Sequence, residues 1–147
     1  MRKSLHGNLA TCIIAADQFF NVANALVDDT HCAMIDAIRP FFVNAALSCE
    51  LYLKAIMIFE SDNDEFITGH DLKKLYEKIS DNAKSMIRTN YDNLYLKPHK
   101  VSFDNLLGDE FVPFVSWRYT FESPAEGNSH ALLTLLKSLR EYVSELR

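Results

Sequence analysis

The sequence contains little glycine, proline or cysteine. Four glycines and four prolines among 147 residues are few for a protein rich in tight turns, so the composition favours long helices over sheet. Its three cysteines, Cys12, Cys32 and Cys49, form no CxxC pair, and their odd number argues against a closed disulfide framework. We therefore expect reduced, mostly buried thiols and a cytoplasmic protein.

The chain also lacks an excess of positive charge. Its net charge of -5 argues against a free-standing, nonspecific nucleic-acid binder, because neutralising phosphates needs surplus lysine and arginine on one face. A local basic cleft is still compatible with this charge. Near the N-terminus, Asp17 and Gln18 interrupt the apolar run that follows a basic start, so we expect no signal peptide.

Residues 41–59 form the longest apolar run, but this run is not free of polar groups. It contains Asn44, Ser48, Glu50 and Lys54. A charged residue at the centre of a membrane-spanning helix costs about 2.5 to 3.5 kcal/mol on insertion scales. We therefore predict a buried helix and no membrane association.

The spacing of apolar residues predicts helices throughout and no strands. Apolar residues recur every three or four positions between residues 9 and 27, and the second helix is predicted to begin at residues 37–40 and to end at residue 59. This second helix is apolar all round, which is typical of the central helix of a bundle. Thr68 is predicted to cap a third helix, in which Asp71 lies in the first turn.

The second half of the sequence continues the helical pattern. A helix is predicted over residues 81–95, and two short helical pieces are predicted around Gly108 and Pro113. The buried side of the helix at 81–95 is predicted to consist of Met86, Ile87, Tyr91 and Leu94. The buried side of the last helix is predicted to consist of Leu132, Leu135, Leu136, Leu139, Val143 and Leu146, and its exposed side of Lys137, Arg140, Glu141 and Glu145. The prediction is one all-α domain over residues 1–147, an up-and-down bundle of five or six helices.

Glu50 and Lys54 are the first candidate site. They are spaced i,i+4 with the glutamate first, the favourable order for a helical ion pair. One interpretation is an intrahelical pair on the least buried strip of the second helix. The other is a charged pocket, because charged side chains seldom enter a core unpaired.

His70 and Asp71 stand at the start of the third predicted helix. Adjacent helical side chains diverge by about 100 degrees, so a capping arrangement is favoured over a catalytic dyad. The sequence has neither an HExxH motif nor paired CxxC motifs, and we predict no metal and no cofactor.

The stretch FVSWRYTFE contains the only tryptophan and a second i,i+4 pair, Arg118 and Glu122. It is interpreted either as a packing cluster with one salt bridge or as a ligand or partner site. In the second case Glu122 would orient Arg118 towards a phosphate or carboxylate, and the rings of Trp117 and Tyr119 would stack on a base.

Three stretches, AALSCELYLKAI, GHDLKKLYEKI and WRYTFE, together resemble the HEPN family, the higher eukaryotes and prokaryotes nucleotide-binding helical domains. The resemblance spans about residues 40–122. It implies an up-and-down helical bundle that commonly dimerises. It also implies a relation to ribonucleases or to partners in toxin–antitoxin, abortive-infection and other prokaryotic defence systems.

Catalytic HEPN relatives carry an arginine followed five positions later by histidine, and this sequence departs from that pattern. The residues five positions after its arginines are Gly7, Asn44, Asn93, Ser123 and Glu145, and Arg147 is the last residue given. Metal-free RNA cleavage needs a group that exchanges protons near neutral pH, as histidine does. The expectation is therefore a noncatalytic binding or regulatory module.

Large apolar residues further suggest a homodimer. Phe41, Phe42, Phe111 and Phe114 look like more rings than one small core needs. A protein partner from a neighbouring gene, RNA or a nucleotide are the other partners considered. The alternatives are a metal-independent endoribonuclease with a non-standard site built around Arg118, and a nucleotide or small-ligand binding protein with a pocket near Lys54 and Arg118.

Overall fold

The structure is a computed structural model, and it describes residues 2–29, 32–61, 69, 71–94, 103 and 127–146. Within these ranges the chain forms five α-helices and one short 3-10 helix, Ile35–Ala37. The α-helices are α1 (Arg2–Ala25), α2 (Ile38–Glu60), α3 (Leu72–Glu77), α4 (Asp81–Leu94) and α5 (Gly127–Glu145). The only β-type pairing in the described ranges is an isolated bridge between Val27 and Ala33. The predicted all-α helical bundle is confirmed.

Helix α2 is the centre of the bundle. Helix α1 packs along one side of α2, α5 packs along another side, and α4 packs mainly on α5. Helix α1 runs antiparallel to α2, because Cys12 contacts Leu51 while Ala16 contacts Ser48. The two partners of α2 thus enclose it from separate directions, as expected for a helix that is apolar all round.

The ends of the helices fix the directions of α4 and α5. The backbone N–H of Ala33, just before α2, donates to Ser129 Oγ in the first turn of α5 at 3.0 Å. At the other end, Tyr142 of α5 lies close enough to Glu60 of α2 to feel its charge: burial raises the pKa of Tyr142, and the charges of Glu60 and Glu145 raise it further. Helix α5 therefore runs in the same direction as α2.

Helix α4 begins where α2 ends. The backbone N–H of Ser80 donates to Glu60 Oε1 at 2.9 Å, and the Ser80 hydroxyl donates to the other oxygen of the same carboxylate. Ser80 Oγ also accepts the backbone N–H of Ala83 at 3.1 Å, so it caps the first turn of α4. Further along, Asn90 Nδ2 donates to the Ser138 carbonyl at 3.3 Å, which places α4 antiparallel to α5.

The core absorbs the two phenylalanines at the start of α2. Phe41 and Phe42 are both 0% exposed, and their rings meet edge to face with centroids 5.5 Å apart. The hypothesis that these two rings are surplus to the core is wrong, because one chain buries both completely. Phe111 and Phe114 lie outside the described residues.

The predicted start of α3 is also corrected. Asp71 is the N-cap of α3, and its side chain accepts the backbone N–H groups of Lys73 and Lys74 at 3.0 and 3.3 Å. The helix does not begin at Thr68, because Gly69 has φ +112°, a left-handed conformation that an α-helix cannot include. Asp71 therefore precedes the first turn instead of lying within it.

Most predicted inner residues are buried, with one clear exception on α4. Ile87 and Tyr91 are 0% exposed, whereas Met86 is 37% exposed. Ala83 and Asn90 complete the buried face instead. Met86 and Ile87 are adjacent, so only one of them can point towards α5.

The last helix follows the prediction closely. Its leucine stripe and Val143 are buried, Leu146 is half-buried, and Arg140, Glu141 and Glu145 are exposed. Lys137 is half-buried rather than fully outside. The helical pieces predicted around Gly108 and Pro113 lie outside the described residues.

Among the described residues, one segment, Ile35–Glu60, is long and apolar enough to cross a membrane by length and composition. Its most apolar window is 61% buried inside the protein. Packing against α1 and α5 therefore accounts for the hydropathy of this helix.

Candidate functional site

The most concentrated group of polar contacts lies where α1 packs on α2. We call it the polar seam, and it consists of the side chains of Cys12, Asp17, Ser48, Glu50, Tyr52 and Lys54. Two of its members, Glu50 and Lys54, are predicted site residues. The other members show how α1 is held against the central helix.

Glu50 and Lys54 form the predicted ion pair on α2. Lys54 Nζ lies 3.2 Å from Glu50 Oε2, one helical turn away. The side chains are only 14% and 6% exposed for Lys54 and Glu50. Lys54 lies on the least buried strip of the middle of α2, with Leu47, Leu51 and Ile58, as the first interpretation predicts, whereas Glu50 is buried beside that strip.

The pair acts electrostatically on Cys12 of α1. Burial raises the pKa of the Cys12 thiol to about 11, Lys54 lowers it and Glu50 raises it. Cys12 Sγ also donates to the Leu51 carbonyl at 3.1 Å. At neutral pH this group is a protonated thiol and a poor nucleophile, so it contributes packing and a hydrogen bond.

Two further hydrogen bonds, which are not among the predictions from the sequence, cross the polar seam. The Ser48 hydroxyl donates to the Ala16 carbonyl at 2.7 Å, and the Tyr52 hydroxyl donates to the Asp17 carboxylate. Ser48 and Tyr52 are spaced i,i+4 on α2, and Asp17 is the only charged residue between residues 8 and 25. That isolated carboxylate in an apolar stretch was the available signal.

The remaining candidate residues do not join this group in the described part of the chain. The side chain of Asp71 caps α3, as the capping interpretation predicts. His70 lies outside the described residues. The cluster of Trp117, Arg118, Tyr119 and Glu122 also lies outside them, so its two interpretations stay predictions.

The described residues contain no group of three or more histidine, cysteine, aspartate or glutamate side chains placed to hold a metal ion. The three cysteines are free, with Cys12 and Cys32 half-buried and Cys49 buried. Burial raises the pKa of Cys49 as well.

Comparison with known proteins adds no assignment: no protein-family model, no curated protein and no solved structure matches this chain.

The polar seam is a contact between two helices whose polar side chains bond to one another and to the backbone. Glu50 and Lys54 cancel one another's charge, while Asp17 and Ser48 bond across to the facing helix. Directional bonds of this kind fix how far one helix slides along another, because each donor has one acceptor at the right height. The seam therefore positions α1 on α2.

Proposed function

We propose that the chain is a noncatalytic HEPN-like module that binds and regulates a partner, acts as a homodimer and belongs to a prokaryotic defence or toxin–antitoxin type system. One observation carries the noncatalytic part of this proposal. No arginine in the sequence is followed five positions later by histidine, the pair that catalytic relatives of the HEPN type use. Asparagine, serine, glycine or glutamate at those positions does not replace an imidazole that titrates near neutral pH.

The described charged groups support the same proposal. Lys54 of the central helix is paired with Glu50 and largely withdrawn from water. A phosphate would have to break this pair and expose both charges. We propose Arg118 and its aromatic neighbours as the ligand-facing group of the module.

The catalytic question is tested with purified protein and a labelled single-stranded RNA in the presence of EDTA. We expect no cleavage. RNA cleavage that survives EDTA and disappears in the Arg118→Ala variant would replace this proposal with a metal-independent ribonuclease. Cleavage that is unchanged in that variant would be traced to a contaminating nuclease by its separation from the protein during chromatography.

The binding question uses a matched pair of arginine variants. Arg118→Lys keeps the charge but removes the planar fork that binds phosphate in bidentate fashion, so it should abolish binding of the same RNA or of a captured protein partner. Arg39→Lys, at an exposed position on α2, is the control and should leave binding intact. If Arg118→Lys lowers the melting temperature by many degrees while binding persists, the cluster around Arg118 packs helices and is not a ligand site.

A further inference from the structure

The outward face of α1 differs from every other exposed helical face in the described part of the chain. Its exposed residues carry no charge over four turns; they are Asn8, Ala10, Thr11, Ile14, Gln18, Asn21, Val22, Asn24 and Ala25. The exposed residues of the other helices include charged groups, for example Lys73 on α3, Arg88 on α4 and Glu141 on α5. Depletion of charge is the compositional mark of the centre of a protein interface.

This face also has the spacing of a helix-pairing seam. Five of its exposed residues follow one another at intervals of three, four, four and three positions and therefore lie along one side of the helix: Thr11, Ile14, Gln18, Val22 and Ala25. The buried residues of α1, such as Ala16 and Ala23, lie on the opposite side against α2. Helix α1 thus has two such sides, and in the described part of the chain only the side with Ala16 and Ala23 packs against other helices.

The two large apolar residues of this face are placed symmetrically. Ile14 is 57% exposed and Val22 is 47% exposed, and each lies four residues from Gln18. If two α1 helices pair antiparallel about a two-fold axis at Gln18, Ile14 of each copy meets Val22 of the other copy. Gln18 then meets Gln18, and the side-chain amides can donate and accept across the axis.

The symmetric spacing about Gln18 and the absence of charge together favour a second copy of the chain as the occupant. Residues near a two-fold axis face their own copies, so any charged residue there would meet a like charge. Faces such as that of α3, with Lys73 and Lys74, are unsuited to self-pairing for this reason. The face of α1 is complementary to itself in both charge and apolar spacing.

We propose that the outward face of α1 is the homodimer contact, with α1 paired antiparallel to α1 of a second copy about an axis at Gln18. This inference rests on the homodimer of the proposed function and names its surface. A single helix pair is smaller than the roughly 1,200 to 2,000 Å² of stable interfaces, so we expect a weak dimer whose population depends on protein concentration.

The first experiment is sedimentation velocity of the full chain from low micromolar to several hundred micromolar concentration. Gln18→Glu and Gln18→Lys should each raise the dimer dissociation constant about tenfold or more, because each places like charges at the axis. An equimolar mixture of the two variants should restore association. Asn82→Asp adds the same charge on exposed α4 as Gln18→Glu adds on α1, and it should have no effect.

The second experiment tests the antiparallel direction. A chain carrying Ile14→Glu with Val22→Lys should dimerise more tightly than a chain carrying Ile14→Glu with Val22→Glu, because only an antiparallel pair brings position 14 to position 22 of the other copy. Equal dissociation constants for these two chains would overturn the antiparallel arrangement. Helical circular dichroism that matches the wild type shows that each variant is folded.

The outcomes separate this inference from the proposed function. A wild-type dimer that ignores all α1 variants overturns the α1 surface and leaves the homodimer in place. A wild type that stays monomeric at several hundred micromolar overturns both, and the α1 face would then be a surface for a different protein. Weakened variants that do not recover on mixing overturn the axis at Gln18.

Discussion

The side of α2 that faces α1 carries directional polar contacts, whereas α5 offers a dense set of buried leucines. Across the polar seam, Ser48 and Tyr52 bond to Ala16 and Asp17. The buried leucines of α5 are Leu132, Leu133, Leu135, Leu136 and Leu139. Apolar packing supplies the larger free energy but tolerates small shifts, while hydrogen bonds supply less and define the position.

The largest effect is expected from a cavity on the leucine side. Leu136 is 0% exposed, so Leu136→Ala removes buried methyl groups and should lower the free energy of unfolding by about 2 to 5 kcal/mol. Chemical denaturation at dilute protein concentration measures this. Met86→Ala, at a partly exposed position on α4, should cost about 0.5 kcal/mol. Equal losses for the two variants would mean that α5 does not dominate the core.

The next effect concerns the ion pair. Glu50→Gln keeps the size of the side chain but leaves the Lys54 ammonium without its carboxylate, and we expect a loss of about 1 to 3 kcal/mol, reduced from a fully buried pair by the remaining exposure. Adding Lys54→Met should recover part of it, as measured in a double-mutant cycle. Additive losses would show that the two side chains do not interact. Glu77→Gln, exposed on α3, is the control.

A smaller effect is expected from one hydrogen bond across the polar seam. Tyr52→Phe removes the hydroxyl that donates to Asp17 but keeps the ring, and the expected loss is about 1 to 2 kcal/mol because the acceptor is charged. Tyr76→Phe provides the comparison, since its hydroxyl donates to a neutral carbonyl at 3.4 Å and should matter less. If Tyr76→Phe is the more damaging change, the polar seam does not stabilise the contact between α1 and α2.

The smallest effect is a pH dependence centred on Cys12. Burial holds the pKa of this thiol at about 11, above the ordinary value of about 8.5. The unfolded chain therefore loses the proton first, so the contribution of Cys12 to stability is complete below the ordinary pKa and is lost as pH rises through about 11.

Alkylation checks the same shift directly. In a Cys32→Ser background, the reaction of Cys12 with iodoacetamide should stay slow at neutral pH and accelerate only as pH approaches about 11. Adding Lys54→Met should slow it further, because Lys54 lowers the pKa of Cys12. Reaction at the rate of a free thiol at neutral pH would show that Cys12 is not held in the polar seam.

Sequence periodicity predicts the apolar side of the bundle well and the polar seam poorly. The stripe of α5 follows from spacings of three and four residues, which depend only on local helix geometry. Asp17 and Tyr52 are 35 residues apart, and Asn90 reaches a carbonyl 48 residues away. Local patterns do not identify such partners, because they follow from how two helices meet.

In the candidate site, too, features within one helix are predictable from the sequence and contacts between helices are not. The Glu50 and Lys54 pair is predictable since both partners lie on one helix, whereas its burial depends on α1. The start of α3 does not follow from the sequence alone, because Thr68 and Asp71 are both good caps and the conformation of Gly69 decides between them.

The central position of α2 has a consequence for synthesis of the protein. Helix α1 is made before α2 and is available to cover one side at once, but α5 begins only at Gly127, long after α2 ends at Glu60. At roughly 5 to 20 residues per second, several seconds pass before the second cover is translated. During that interval the most apolar segment of the described chain is covered on one side only, so we expect it to be the part of the nascent chain most prone to unwanted hydrophobic contacts.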